Sequence, residues 1–472
     1  MIRRILMRSA YNSGKYAKAR HHARKILNVP KEGKLARSVI IRSYWNEQHF
    51  EKIVNLAQKW QDPSLEEYLQ KSIDQLFLLK DKGQKLNLSL KGLHSKRHAP
   101  LQEQQPIPNT EIQWDSNKIM NNFFQEDARV WFRFPEGYCF WDMPEDYDLN
   151  RVHRSLLELV AELLLSPWLP ETKDVSTPSR KKGHNPSLSF SAGTDSTAAF
   201  LVMPENTILG YHKRSFESQL KHDNAERLIQ HLQGNTHSKV VSVPSNHELI
   251  RTFHDKSLGF STDLACASHL VLMGDYLDLG GVAFGMPLDN TWLWKGRVFR
   301  AFESSEYFEY WSARFLHAGL ELILPIAGIS EAGTMKICRQ SDLMPYLNSC
   351  LRGDGVHGCG NCWKCFHKNG PLGRNYDITA PEIQKFLHRN PLPTATHALW
   401  AIKTMGLKNR VPTRLHSFLE NDFSWWTKVY PPSKDIISLE WQDQIWSKIC
   451  SYLQIMEPPY QVENVNLYDE TL

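Results

Sequence analysis

Along this chain the spacing of apolar residues changes from helical to alternating and back, and each stretch predicts a different element. Near the N-terminus, KYAKARHHARKI (Lys15–Ile26) aligns with HFEKIVNLAQKW (His49–Trp60) at an offset of 34 residues, placing Tyr16 on Phe50, Ala19 on Ile53, Ala23 on Ala57 and Ile26 on Trp60. Those positions have the spacing of one helix face, and Pro30 and Pro63 punctuate the two units. Paired helices at this period predict a helical region over residues 1–83 similar to tetratricopeptide repeats, with Leu65–Leu79 as a capping helix. An ordinary helical bundle fits the same pattern. Residues 84–112 lose periodicity, gain Gln, Pro, Lys and His, and read as a linker. Val130–Phe134 and Tyr138–Met143 flank Pro135-Glu136-Gly137, which predicts a hairpin. A helix over Asn150–Leu165 is apolar on more than one face and should be buried, completing a segment at 113–170.

After a polar loop at Pro170–Pro186 the pattern becomes strand, turn and helix. Strands are predicted at Ser187–Ser191, Thr207–His212, Lys239–Pro244 and Gly281–Gly285, and helices at Thr197–Met203, Asn224–Leu232, His247–His254 and Cys266–Leu279. This alternation predicts an α/β fold, a doubly wound parallel sheet, over residues 185–370. Residues 371–472 mix short helical patterns with Pro and Trp, and read as a helical extension without recognisable chemistry.

Composition changes this picture little. The 472 residues are 41% hydrophobic and 23% charged, ordinary for a soluble globular protein, and no apolar run approaches a membrane span. No secretory signal is evident, so a cytoplasmic location is expected. The net charge of +5 conceals an asymmetry: residues 1–42 carry twelve Lys or Arg against the single acid Glu32. Such an end can meet nucleic acid, an acidic partner or an anionic membrane, and it can also be a solvated helix face; an organellar transit peptide is a third reading, against which the helical repeat argues.

Two motifs carry chemistry. The first is SLSFSAGTDSTAAF (Ser187–Phe200), where a strand leads through Ser191, Ala192, Gly193, Thr194, Asp195, Ser196 and Thr197 into a helix. Small residues let the backbone turn tightly, and the helix start directs unpaired N–H groups and the positive dipole end at one point. That geometry binds phosphate. Ser191, Ser196 and Thr197 add hydroxyls, and Asp195 is suited to Mg²⁺. The plain alternative is a Ser/Asp helix cap. The second motif places Cys350, Cys359, Cys362 and Cys365 at spacings of nine, three and three. Two-residue turns between thiolates let them grip one tetrahedral metal, and four of them close the shell, as in structural zinc sites. An iron–sulfur cluster and free thiols are the alternatives. The remaining cysteines, Cys139, Cys266, Cys338 and Cys450, read as small buried hydrophobes.

The loop resembles the Ser-Gly-Gly-x-Asp-Ser motif of the PP-loop ATP pyrophosphatases, with Ala192 in place of one glycine. Loop and knot together are similar to the 7-cyano-7-deazaguanine synthase family, as are Leu324–Ile337, Asn348-Ser349-Cys350 and the Gly285–Asp289 segment. The likeness spans residues 185–370 and neither flank. Two positions depart from it. Ser330 and Glu331 stand where the family has a lysine, and Tyr211-His212-Lys213-Arg214 replaces its Tyr-Gly-Gln-Arg-His segment.

The resemblance implies a ligase or amidotransferase using ATP, Mg²⁺ and Zn²⁺. Residues 191–197 would bind ATP, Asp195 and Ser196 would serve catalysis, and Lys213 or Arg214 would assist with charge. The acceptor would be a small-molecule or protein-borne acid, with a protein partner recruited by the N-terminal helices. An RNA-modifying thiolase, with nucleic acid on the basic N-terminus, and a non-catalytic nucleotide-sensing scaffold fit the same motifs.

Overall fold

The computed structural model describes residues 2–29, 32–81, 86–89, 113–115, 117–168, 175, 177–216, 218, 221–235, 238–254, 256 and 258–467. The expected linker at 84–112 lies almost wholly outside the described residues, as does much of the loop expected at 170–186. The chain forms two compact units: residues 1–110 with 136–138 and 248–259, and residues 111–135, 139–247 and 260–472.

In the first unit five helices follow in sequence: α1 (Ile2–Asn12), α2 (Tyr16–Arg24), α3 (Gly33–Asn46), α4 (Phe50–Trp60) and α5 (Glu66–Asp81). The aligned helices α2 and α4 begin at Tyr16 and Phe50, the offset read from the sequence. Of their matched apolar positions, Ala19, Ala23, Ile53 and Ala57 are buried and join Met7, Ile40 and Leu65 in one core, with Phe50 and Trp60 partly buried against it. Each helix packs on the next because its apolar face has no other cover.

The second unit is built on an eight-stranded sheet in the order β1-β2-β3-β6-β5-β4-β7-β10. Its antiparallel end comprises β1 (Phe123–Glu126), β2 (Arg129–Phe134) and β3 (Gly137–Asp142, of which residues from Cys139 on fall in this unit), β2 and β3 being neighbours as the expected hairpin requires. The parallel part comprises β4 (Asn185–Ser189), β5 (Ile208–Arg214), β6 (Val240–Ser245), β7 (Leu279–Phe284) and β10 (Glu321–Ile323). Strand β3 joins it antiparallel, through Trp141 opposite Ser245. A short ribbon, β8 (Leu293–Trp294) with β9 (Val298–Phe299), stands apart from this sheet.

Helices cover both faces. Along β5, Leu209 and Tyr211 point into a cluster with α7 (Thr194–Val202), α8 (Asp223–Asn235) and the late helix Gln442–Tyr452. Gly210 between them faces the opposite way, where an added Cβ would lie 2.4 Å from Leu270 of the helix Ser268–Leu272. On that side Ser268–Leu272 packs against the buried helix α6 (Arg154–Leu165). Cys266–Leu279 was expected to be one long helix; only Ser268–Leu272 is, and turns then lead past Gly274 to β7. Strands buried on both faces are why the sequence shows continuous apolar runs there. Among the described residues no helix is long and apolar enough to cross a membrane.

Candidate phosphate loop and metal centre

From β4 the chain steps outward to β5 and β6 on one side, then crosses back to β7 and β10 on the other. The topological switch therefore lies between β4 and β7, where parallel sheets open a crevice beyond their C-terminal ends. Residues 191–197 sit at that point. Gly193 is the N-cap of α7 and offers no side chain to the first-turn amides, so neither Asp195 nor Ser196 serves as the cap. The loop is instead braced from within. Ser196 Oγ accepts from Ser191 N at 3.2 Å and donates to Gly193 O at 3.1 Å. Ser349, immediately before the knot, adds an outside brace: its Oγ accepts from Thr194 N at 3.0 Å and lies 2.6 Å from Thr194 Oγ1. Thr197 Oγ1, in the first turn of α7, is buried without a hydrogen-bond partner.

Ala192 adopts φ +56°, in the left-handed region that glycine favours. The alanine that departs from the glycine motif thus holds a glycine's conformation. Gly285, at the end of β7, explains how the sheet approaches so closely: a Cβ there would stand 2.9 Å from both Cα and N of Ser196.

The side chain of Asp195 meets groups from two later segments. Thr334 Oγ1, on the helix Glu331–Arg339, lies 3.0 Å from Asp195 Oδ1, and Lys368 Nζ lies 2.5 Å from Oδ2. Lys368 is also 3.6 Å from Glu331 Oε1. Burial works against its ammonium, but the Asp195 and Glu331 carboxylates outweigh it and raise the pKa. For Glu331 burial likewise opposes the charge, and Lys368, His397 and His367 together hold its carboxyl well below the usual range. Asp289 accepts the Glu331 amide at 2.9 Å, while its Oδ1 is buried without a partner. Burial, then the Glu331 charge, pushes the Asp289 carboxyl well above the usual carboxylate range.

Glu331, His367 and His397 bring ligand atoms within 4.8 Å of one another, as a metal site would. The tautomer of His397 argues otherwise. Trp426 Nε1, which can only donate, faces His397 Nδ1 at 3.4 Å, so the proton resides on Nε2. Nε2 is directed at His367 O, 2.9 Å away, and has no lone pair for an ion. His367 Nε2 and His397 Nε2 stand 3.2 and 3.4 Å from Glu331 Oε2, close enough for charge pairing but without a hydrogen bond to it.

The knot does suit a metal. Its four sulfurs lie within 4.8 Å of one another, with Cys350–Cys362 and Cys359–Cys365 each at 3.9 Å. Bonds of about 2.3 Å to a tetrahedral ion space sulfurs by roughly 3.8 Å. Backbone amides of Arg352 and Cys359 point at Cys350 Sγ from 3.4 and 3.3 Å, as donors to a thiolate do. Gly358 is required, because a Cβ would fall 2.9 Å from Cys365 Sγ. These four residues could hold a single ion such as zinc. Asp354 and His357 are exposed beside it.

Lys213 pairs with Glu226 at 2.7 Å, with both side chains partly exposed. Of the other cysteines, Cys139 and Cys338 are buried, Cys266 is intermediate and Cys450 is exposed. Sequence reading overlooked Lys368, His367 and His397. The signal for Lys368 was its helical-turn spacing after Cys365; for His397, inside the tail, there was none.

Fold and site together define an α/β protein with a strand–loop–helix turn at the sheet's switch point, braced by a four-thiol knot. The model of a "Family of unknown function (DUF6395)" matches residues 310–468, which include Glu331, the knot, Lys368 and His397 but not the loop. No curated protein and no solved structure matches the chain.

Proposed function

We propose that this chain is an ATP-dependent ligase or amidotransferase of the PP-loop pyrophosphatase type, similar to the 7-cyano-7-deazaguanine synthases in its core. The observation that carries the reading is the start of α7 at the switch point, where the N-cap Gly193 supplies no side chain, Asp195 stands in the first turn and Thr197 Oγ1 is unpaired beside it. Beyond the Thr194 amide, which Ser349 holds, first-turn amides and the helix dipole would stabilise phosphate oxygens, and the Asp195 carboxylate would hold the Mg²⁺ that accompanies ATP.

In the reaction a carboxylate or amide oxygen of the acceptor attacks the α-phosphorus of ATP. The bond from that phosphorus to the bridging oxygen breaks, and pyrophosphate leaves with the electron pair. An amine or ammonia then displaces AMP from the acyl adenylate and gives up a proton. Such chemistry depends on charge neutralisation and in-line positioning more than on a protein nucleophile. The knot, by its sulfur spacing, suits a structural Zn²⁺. The 34-residue register of α2 and α4 supports a tetratricopeptide-like arm that would recruit a protein or a protein-borne acceptor.

Product analysis of ATP turnover tests this, with 7-carboxy-7-deazaguanine plus ammonia as trial substrates and Asp195→Ala as control. The expected products are AMP and pyrophosphate, lost in the variant. ADP and phosphate, or tight ATP binding without turnover under any acceptor, would overturn the ligase reading, and the second result would favour a nucleotide sensor.

A further inference from the structure

We infer that Lys368 contacts the terminal phosphates of the bound nucleotide, and that the cysteine knot is the device that sets it there. This rests on the phosphate-loop reading above and assigns the site its cation. Three observations carry it. Lys368 lies three residues after Cys365, on a π-helical turn spanning Cys365–Asn369. Turns of this kind insert a residue and redirect the side chains that follow, and they recur at functional sites. Here the turn places a lysine that is buried among polar groups, with Nζ 2.5 Å from Asp195 and 3.6 Å from Glu331.

The other end of the knot grips the same turn of α7. Ser349 adjoins Cys350 and holds Thr194, while Lys368 follows Cys365 and holds Asp195. Consecutive residues of the loop are therefore anchored to opposite ends of one metal-ligating segment. A buried ion pair seldom stabilises a fold more than apolar packing would, so stability alone gives little reason to keep an ammonium here. An ammonium has three donors; Asp195 takes one, while Glu331 at 3.6 Å attracts by charge from beyond hydrogen-bond reach. Donor capacity is therefore left for a phosphate oxygen. Were Asp195 to hold Mg²⁺ with the nucleotide, the donor of Lys368 that it occupies would become available to a second phosphate oxygen. Lys368 then contacts substrate, and Ser349 is a positioning residue.

The test uses the full chain and inorganic pyrophosphate as probe, measured by calorimetry with and without Mg²⁺ and alongside metal content and circular dichroism. Lys368→Met should keep its metal and its spectrum while binding pyrophosphate at least thirtyfold more weakly. Lys368→Arg should stay within about fivefold of the native chain. A folded, metal-loaded Lys368→Met that binds pyrophosphate as the native chain does would overturn the inference. Should Lys368→Met fail to fold, Ser349→Ala and chelation carry the test. Each should weaken pyrophosphate binding about tenfold or more without loss of helical signal, and unchanged binding in chelated, folded protein would overturn the role of the knot. Native protein that binds pyrophosphate through Lys368 but makes no AMP from ATP would sink the ligase reading alone. AMP formation with native kcat/KM in Lys368→Met would sink this inference alone.

Discussion

Gly285→Ala is the perturbation that most directly asks whether the closeness of β7 to the loop matters. The added Cβ would lie 2.9 Å from Ser196 Cα and N and 3.1 Å from Asp195 C. Carbon atoms in contact settle at about 3.5–4.0 Å, so the start of α7 must retreat by roughly 0.6–1 Å. All three obstructing atoms are backbone, and no rotamer change can absorb the strain. Overpacking of this kind costs about 1–3 kcal/mol of stability. Functional sites tolerate displacements of about 0.5 Å, so the first-turn amides would leave the positions from which they reach a phosphate. Losing one charge-assisted hydrogen bond, worth about 1.5–3 kcal/mol, weakens binding roughly ten- to hundredfold.

The control is Gly281→Ala on the same strand, whose Cβ would meet the side chains of Ile323 and Trp441 at 2.7 Å, far down the strand from the loop. Both variants should unfold a few degrees below the native chain in a thermal melt, but only Gly285→Ala should lose ATP affinity in calorimetry. Native affinity in Gly285→Ala, or equal losses in both variants, would refute the reasoning.

Further outcomes follow from other positions. Ala192→Gly relieves a left-handed alanine worth about 1–2 kcal/mol but forfeits a buried methyl group and chain entropy of similar size. Its melting temperature should therefore equal or exceed the native value, whereas Ala198→Gly, in the buried helix interior, should lose about 1–2 kcal/mol. Equal losses in the two would contradict the left-handed assignment. Cys362→Ser leaves three thiolates, so metal content should fall below one ion per chain and stability by about 3 kcal/mol or more, read by elemental analysis and urea unfolding. Burial depresses His269 to about 3 and His397 to about 4, against 6.5 for the ordinary group. Between those values the unfolded chain binds protons that the folded chain refuses. Stability should thus be full above about pH 6.5 and decline as pH falls toward 4, by up to about 1.4 kcal/mol per pH unit for each histidine. A urea midpoint that stays flat from pH 7 to 4 would show these rings to be solvated.

Local chemistry was legible in the sequence wherever the interacting residues are near neighbours. The loop turn could be read because its internal bracing bonds run among residues 191–197, though not the outside brace from Ser349, and the knot because its four thiols fall within sixteen positions. The α2–α4 register and the parallel strands were legible for the same reason, since helix and strand periods repeat over a few residues. The attachment of β3 to β6 was not, because one antiparallel contact between Trp141 and Ser245 leaves no periodic trace.

What the site does with charge was decided only by the tertiary structure. Asp195 and Lys368 are 173 residues apart, and Asp289, Glu331, His367 and His397 reach the same region from separate elements. In sequence each is an unremarkable polar residue, indistinguishable from one on a solvated face. Packing removes them from water together, and without solvent screening their mutual distances decide which group keeps its charge. That is why the Glu331 carboxyl is held well below the usual range while its neighbour Asp289 is pushed well above it, although nothing in the sequence tells the two carboxyls apart.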